Sequence, residues 1–276
     1  PASRSALLRW AAVILVAALS LATLPQHFPN RTPWRNILAQ VSQQAQPGDV
    51  LLFSTIELDA YKLDQMARYL PAELVQNRVD TAAEAAQARR VWFLNDFWFN
   101  DDVRADFNTL EEDHRVWSVA GDCTSDWCML AQLMVAPPNR DAEIFGGVIG
   151  FLGADVSLSD DGTLRALLWW TAEETPTIDY SISLQVLDAN GALITQSDGA
   201  IQPPDGTQAL PTSEMQPGGT YLDERILQLP ANVAQGQFTV QLIVYDWQTN
   251  ERLTTSQNRD TITLHNISRG SETQAP

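Results

Sequence analysis

The fold is decided most clearly by residues 180–187, which read YSISLQVL. Tyr, Ile, Leu and Val at the even positions alternate with Ser, Ser and Gln at positions 181, 183 and 185. That alternation is the period of a β-strand with one buried face. Short apolar runs divided by Asp, Asn, Pro and Gly turn signals continue on both sides, from residue 144 to residue 264. About six to eight such strands predict an antiparallel β-sandwich.

Two adjacent tryptophans, Trp169 and Trp170, lie in the predicted strand at residues 164–171. Neighbouring side chains of a strand point to opposite faces, so only one of the two can belong to the sandwich core. We therefore expect the other to be exposed or covered by a neighbouring domain.

Residues 34–136 show helical and strand-like segments in alternation. Helical spacing is present at residues 34–46, 58–70, 81–90 and 101–114, the third with Thr81 as N-cap and Glu84 three residues on. Apolar runs suited to buried strands are present at residues 50–53, 74–79, 91–94, 116–119 and 129–135. The alternation predicts a small α/β unit of Rossmann-like type. Its first turn, residues 54–57, has no glycine, so no dinucleotide or other cofactor is predicted to bind there.

Pro137-Pro138-Asn139 separates these two patterns, and the predicted class is α/β plus all-β. The prediction divides the chain into four regions. They are a transmembrane helix with its flanks at residues 1–30, the α/β unit at residues 31–138, the β-sandwich at residues 139–268 and a disordered polar tail at residues 269–276.

The first region contains a nearly continuous apolar segment, Ala6–Leu24. A helix of that length spans about 28 Å, close to the hydrocarbon thickness of a bilayer. Arg4 and Arg9 at its N-terminal side predict a single-pass protein of the cell membrane, with residues 25–276 on the extracytoplasmic side. A cleaved signal peptide and a buried core helix are the alternatives. Since the chain starts at Pro1 rather than at a methionine, we expect a fragment or a processed product.

The formal net charge is −17, and the only lysine is Lys62. An acidic surface repels phosphate backbones, so no nucleic-acid partner is expected.

The two cysteines, Cys123 and Cys128, lie in a loop of polar turn-forming residues. Their spacing permits a small disulfide outside the reducing cytoplasm, which we favour over free thiols. A zinc site would need four ligands, and His114 is the only histidine nearby, so no metal site is predicted.

Beyond residue 180, short motifs follow one another in a fixed order. They are Leu184–Asp188, Gly191, Gln196-Ser197-Asp198, Pro211-Thr212-Ser213, Pro217-Gly218, Asp223, Leu229-Pro230, Gly236–Phe238, Tyr245-Asp246 and Arg252-Leu253. The order resembles the C-terminal region of bacterial family 39-type glycosyltransferases, which are similar to protein mannosyltransferases and lipid-A aminoarabinose transferases. Trp34-Arg35 and Pro47-Gly48-Asp49 match the segment that follows the last membrane helix in that family. Three positions depart from the family pattern: Met215 replaces an aromatic residue, a glycine is missing near Ile243, and Asn250 replaces a glycine.

The resemblance implies that this chain is the exported, non-catalytic C-terminal portion of a membrane glycosyltransferase that uses a polyprenyl-phosphate sugar. It would guide the glycan acceptor, while the catalytic carboxylate lies upstream of this chain. No catalytic residue can be assigned here, so whether the chain is part of an enzyme stays open. The alternative is an anchored or secreted β-sandwich that binds carbohydrate or protein without enzymatic activity.

Three residues near the end of a predicted strand, Tyr245, Asp246 and Trp247, are hypothetical sugar contacts. An aromatic face can stack on a sugar ring, and a carboxylate can accept hydrogen bonds from its hydroxyls. The alternative is a strand-end core residue followed by an aspartate that caps a turn.

Overall fold

The computed structural model of this protein describes residues 34–54, 67–95, 100–121, 130–230 and 237–268. Within these ranges the chain is mostly β, with thirteen strands arranged in three sheets. The predicted fold class is therefore wrong: a mostly β fold stands in place of a Rossmann-like α/β unit preceded by a membrane helix.

The described ranges contain short α-helices. They are α1 (Trp34–Gln44), α2 (Ala72–Gln76), α3 (Ala82–Ala85) and α4 (Asp101–Glu111). The predicted cap of α3 is confirmed, because Thr81 Oγ1 accepts a hydrogen bond from Glu84 N at 3.2 Å. Only the end of the strand predicted at residues 74–79 is confirmed: Arg78 and Val79 form a strand, whereas Ala72–Gln76 form α2 directly after Pro71. Most of the helix predicted at residues 58–70 lies outside the described residues.

The first sheet is built from five strands in the order β2-β1-β3-β5-β4. They are β1 (Val50–Ser54), β2 (Arg78–Val79), β3 (Arg90–Asn95), β4 (Arg115–Ala120) and β5 (Leu130–Val135). The strand β1 pairs in parallel with β2 and β3, whereas β5 is antiparallel to both β3 and β4. The sheet is mixed because nine residues separate β4 from β5, and a parallel crossover needs about a dozen or more.

The other two sheets are antiparallel and have the orders β11-β8-β7-β6 and β10-β9-β12-β13. Their strands are β6 (Glu143–Phe145), β7 (Ile149–Leu158), β8 (Thr163–Ala172), β9 (Tyr180–Asp188), β10 (Leu193–Gly199), β11 (Thr220–Gln228), β12 (Gln237–Asp246) and β13 (Ile262–Ser268). A one-turn 3₁₀ helix, Thr212–Glu214, precedes β11. Apolar side chains from both sheets form one core, so the two sheets make a sandwich.

The alternation at residues 180–187 determines which side chains of β9 enter that core. Ile182, Leu184 and Val186 are buried in it. Their partners on β12 are Val244, Leu242 and Val240, in that order. The odd-numbered residues of β9 therefore face the other side of the sheet.

The outer face of the sheet that contains β8 is covered by the first sheet. Trp169 packs with Trp92 and Leu133 in a second core, while Trp170 lies in the sandwich core with its ring centroid 5.2 Å from that of Phe151. Both tryptophans are thus buried, and Trp169 follows the predicted option of cover by a neighbouring unit. Arg115 also crosses between the layers, donating from Nε to Thr220 O at 2.9 Å.

The predicted membrane segment, residues 6–24, lies outside the described residues. Among the helices that are described, none is long and apolar enough to cross a bilayer. We therefore correct the fold class and the localisation: the transmembrane helix, the single-pass topology and the extracytoplasmic placement of residues 25–276 are withdrawn.

Cys123 and Cys128 also lie outside the described residues, as does the tail at residues 269–276. The part of the chain that is described contains no disulfide, and the disulfide prediction is withdrawn as well.

Candidate functional site

The hypothetical sugar contacts lie at the end of β12 and in the turn that follows it. Asp246 accepts hydrogen bonds from Gln248 N at 2.8 Å and from Thr249 Oγ1 at 2.9 Å. These bonds lower the pKa of the Asp246 carboxyl, the Gln248 N–H contributing most. The carboxylate therefore caps the turn, which is the alternative given above. Trp247 is 58% exposed.

A row of polar side chains crosses the outer face of the sheet that contains β12. It has one residue from each strand, namely Gln196 of β10, Gln185 of β9, Gln241 of β12 and Thr263 of β13, and we call it the polar row. The register pairs Gln196 with Gln185, Gln185 with Gln241, and Gln241 with Thr263. Because directly opposed residues share a face, all four side chains lie on the side away from the sandwich core.

Hydrogen bonds join three members of the polar row to one another and to Asp198. Gln241 Nε2 donates to Gln185 Oε1 at 2.9 Å, and Gln185 Nε2 donates to Gln196 Oε1 at 3.4 Å. Gln196 Nε2 then donates to Asp198 Oδ2 at 2.6 Å. Each amide uses one of its two N–H groups in this chain, so each keeps an N–H and oxygen lone pairs for another molecule.

The positions next to the polar row face away from the sandwich core but are buried: Ser183 is 1% exposed and Ile243 is 2% exposed. Ser183 pairs with Asp198 on one side and Ile243 on the other, and Tyr245 follows two residues along β12 on the same face. Ser183 is 1% exposed, and its Oγ has no hydrogen-bond partner in the described part of the chain. A buried hydroxyl without a partner is uncommon and needs a water or a ligand group to satisfy it.

Beyond β13 the polar row opens into a cleft of about 470 Å³. Thr263 belongs to both, and the cleft is also lined by the polar Asn139, Asp141 and Gln257 and by the apolar Phe151, Ile262 and Leu264. Thr263 is therefore the residue that the row and the cleft share. The charge is low where the row lies, because Asp198 is the only charged side chain in the hydrogen-bonded chain.

The motifs that carry the family resemblance mostly hold the fold together. Asp223 and Arg225 form a completely buried ion pair, with Arg225 Nε 2.8 Å from Asp223 Oδ1. Arg225 Nη2 also donates to Ala200 O at 2.6 Å, and Asp223 Oδ1 accepts from Gln202 N at 2.9 Å. Burial raises the pKa of the Asp223 carboxyl, and Arg225 opposes that effect. The pair thus fastens β11 to the segment after β10.

Two further motif residues have equally structural roles. Thr212 Oγ1 accepts a hydrogen bond from Tyr180 N at 2.7 Å, which fixes the start of β9. Asp49, from Pro47-Gly48-Asp49, is buried and accepts from Arg90 Nε at 2.6 Å and from Trp92 Nε1 at 2.9 Å.

Sequence reasoning missed the polar row as a candidate site. The signal was present in β9, where the alternation already places Gln185 on the outer face. Its partners on β10, β12 and β13 could be found only from the strand register. Within the described residues, no group of three or more His, Cys, Asp or Glu side chains could hold a metal ion.

No protein-family model matches this chain, and no curated protein matches it. A β-glucuronidase from Bacteroides uniformis is similar to it at 13% identity and a TM-score of 0.30, over 50% of this chain and 15% of that chain. An endonuclease/exonuclease/phosphatase from Beutenbergia cavernae is similar at 11% identity and a TM-score of 0.26, over 55% of this chain and 35% of that chain. A putative β-galactosidase from Bacteroides fragilis is similar at 10% identity and a TM-score of 0.26, over 51% and 19%. The chain spans only a small part of these proteins, and likenesses this weak carry no functional argument.

Proposed function

We propose that this chain is a carbohydrate-binding module, without catalytic groups of its own, that binds an extended neutral glycan along the polar row. The observation that carries the proposal is the hydrogen-bonded chain Gln241–Gln185–Gln196–Asp198 on an outer sheet face. These hydrogen bonds fix the orientation of three side-chain amides before any ligand arrives, which lowers the conformational entropy lost on binding.

The chemistry of the row suits sugar hydroxyls. A hydroxyl both donates and accepts a hydrogen bond, and each oriented amide offers one free donor and one free acceptor. Strands lie about 4.8 Å apart, so four residues on adjacent strands extend over roughly 14 Å. A row of that length fits a chain-like ligand better than a single small molecule, and the cleft beyond Thr263 extends it.

Charge and aromatic surface support the same ligand class. The net charge of −17 and the carboxylate of Asp198 disfavour phosphorylated or sulfated ligands. Tyr245 lies on the same face as the row and offers a ring on which a sugar can stack.

Calorimetric titration with neutral hexose oligosaccharides of increasing length tests this proposal. We expect affinity to rise with length, to be insensitive to salt, and to fall about 10-fold in Gln241→Ala, because that change removes hydrogen bonds worth about 1.4 kcal/mol. Gln228→Ala is the matched control: Gln228 makes two side-chain hydrogen bonds, but on the other sheet of the sandwich.

The absence of binding by every neutral oligosaccharide would overturn the proposal, and so would an equal loss in the two variants. A protein partner that binds this face while no glycan does would favour the protein-binding alternative instead.

A second candidate function is that of an acceptor-guiding portion of a glycosyltransferase that uses a polyprenyl-phosphate sugar. The order of the motifs favours it, and Gln185, Gln196 and Asp198 of the hydrogen-bonded chain fall within those motifs. In that case, the glycan that binds the row would be the acceptor of the transfer reaction.

Mixing this chain with a polyprenyl-phosphate sugar donor and the bound glycan tests the second candidate. We expect no transfer by the chain alone, and transfer that Gln241→Ala weakens when the complete encoded protein is used. Turnover by the chain alone would show that the chemistry lies within it and would contradict this assignment.

A further inference from the structure

A second group of buried polar side chains lies in the first sheet, far in sequence from the polar row. The connection after β1 leads to β2 on one side, and the connection after β3 leads through α4 to β4 on the other side. In sheets with parallel strands, ligands bind at the carboxyl edge between two neighbouring strands whose following connections lead to opposite sides. Ser54 and Asn95 are the last residues of β1 and β3, and they pair with each other at that edge.

Three polar side chains on adjacent strands share one face at this position. They are Ser54 of β1, Asn95 of β3 and Gln132 of β5, which are 5%, 0% and 6% exposed. The same face is otherwise apolar, since Leu52, Phe93 and Met134 pack in one core with residues of α4. Ser54 and Asn95 thus end the apolar pattern of their strands at the carboxyl edge, while Gln132 lies opposite Phe93, two residues further in.

Hydrogen bonds organise the group but leave one atom open. Ser54 Oγ donates to Asp106 Oδ2 of α4 at 2.6 Å, and Asn95 Nδ2 donates to Gln132 Oε1 at 3.3 Å. In this amide orientation Asn95 Oδ1 is buried and, within the described residues, has no hydrogen-bond partner. A completely buried amide oxygen is normally paired, so this one requires a donor from outside the described chain.

Three oxygens of the group can accept a hydrogen bond from a ligand. The Ser54 O–H donates its one hydrogen bond to Asp106, so Ser54 Oγ can only accept a further hydrogen bond. Asp106 contributes a half-buried carboxylate, and Asn95 contributes its open amide oxygen. Ser54 and Asn95 are paired on neighbouring strands, which lie about 4.8 Å apart, so one small group can contact both side chains.

We propose that the carboxyl edge between β1 and β3 is a second binding site, which takes the primary ammonium group of a small molecule. An ammonium carries three N–H donors, which matches the acceptors of Ser54, Asn95 and Asp106. Its positive charge matches the carboxylate of Asp106. An anionic ligand would meet that carboxylate and the overall negative charge of the chain, and it is excluded for that reason.

Three small probes of nearly the same shape test the site by calorimetry or ligand-detected NMR. Ethanolamine carries a primary ammonium, choline carries the same charge without N–H donors, and ethylene glycol carries hydroxyls without charge. We expect ethanolamine to bind at least about 10-fold more tightly than the other two, because only it combines charge with donors. Equal binding of choline or ethylene glycol, or no binding of ethanolamine, would overturn the proposal.

Variants of α4 assign the binding to this edge. Asp106→Asn should weaken ethanolamine binding by about 10-fold, because a charge-assisted hydrogen bond becomes a neutral one. Asp102→Asn removes the same charge from an exposed position of the same helix and should leave the affinity within about 2-fold. A loss of the same size in both variants would show a general charge effect and would contradict the site.

The polar row provides an independent check. Gln241→Ala should leave ethanolamine binding unchanged, and Asp106→Asn should leave glycan binding unchanged. The two sites can therefore fail separately. Loss of both glycan and ethanolamine binding in a single variant would instead indicate loss of folding, which circular dichroism of that variant would detect. If Asp106→Asn fails to fold, Ser54→Ala tests the site in its place, and we expect it to bind ethanolamine more weakly.

Discussion

Two buried polar groups in this molecule differ in how completely their atoms are hydrogen-bonded. In the sandwich, Asp223 and Arg225 are entirely buried, and carboxylate and guanidinium bind each other and the backbone around them. At the carboxyl edge of the first sheet, Asn95 is equally buried but keeps an open oxygen. The difference separates two uses of buried polarity: a satisfied group fixes strands to one another, whereas an open one is available to a ligand.

The largest expected effect comes from breaking the satisfied group. Arg225→Ala leaves the Asp223 carboxylate buried without its partner, so the free energy of unfolding should fall by about 3–5 kcal/mol, as measured by urea denaturation. Arg165→Ala removes a partly exposed ion pair with Glu224 of β11 and a cation–π contact with Trp117, and it should cost about 1–2 kcal/mol. Similar costs for the two variants would mean that burial does not distinguish the pairs.

A pH titration of stability examines a third buried polar side chain. His114 is buried, its Nε2 bonds to Ala88 O at 2.8 Å, and burial lowers its pKa below the usual 6.5. The folded chain therefore holds a neutral imidazole where the unfolded chain takes up a proton. Stability should decrease as the pH falls from 6.5 to the lowered folded pKa, by up to about 1.4 kcal/mol per pH unit.

The same titration of His114→Leu provides the control. Without the imidazole, the part of the slope between the lowered pKa and 6.5 should disappear. An unchanged slope in that variant would assign the pH dependence to other groups.

Replacing the buried amides of Asn95 and Gln132 should not lower the free energy of unfolding, whereas breaking the Asp223–Arg225 pair should lower it. In the double variant Asn95→Leu/Gln132→Leu, both amides of a partly satisfied pair become apolar, so the free energy of unfolding should stay level or rise by about 1 kcal/mol. Ethanolamine binding should be lost at the same time. A destabilisation of several kcal/mol would show that this pair, like Asp223–Arg225, serves the fold.

The smallest effect is expected at the end of β12. Trp247 is 58% exposed in a turn, so Trp247→Ala should change the free energy of unfolding by no more than about 0.5 kcal/mol. Its effect on glycan binding, compared with that of Tyr245→Ala, shows which of these two hypothetical contacts is used. A strong stability loss in Trp247→Ala would mean that the side chain packs against the fold.

Much of the local structure can be predicted from single segments. The period-two pattern of β9 gives its buried face, Thr81 and Glu84 give the cap of α3, and the adjacent Trp169 and Trp170 show that only one of the two can lie in the sandwich core. Shorter elements are less predictable: α2 has five residues, too few for a helical period to show, and its leucine and valine resemble a strand. The membrane helix was predicted from an apolar segment with arginines at its N-terminal side; that segment lies outside the described residues, and no described helix is long and apolar enough to cross a bilayer.

The candidate sites depend on pairs that no local pattern contains. Gln185 and Gln241 meet because β12 lies beside β9, and Ser54 meets Asn95 because β1 pairs with β3 rather than with β4. The sequence of each strand tells which residues share a face, since side chains alternate with a period of two. It does not tell which strand lies next to it, because many pairings bury the same apolar faces equally well.

Local sequence patterns give the alternation of buried and exposed positions, the turns that separate the strands, and a net charge of −17. The tertiary structure alone decided that the first sheet is mixed, that it covers Trp169, and that polar residues distant in the chain form a row on one sheet and an open group at the edge of another. The physical reason is that local propensities act over a few residues, whereas sheet order is fixed by the burial of whole faces against one another.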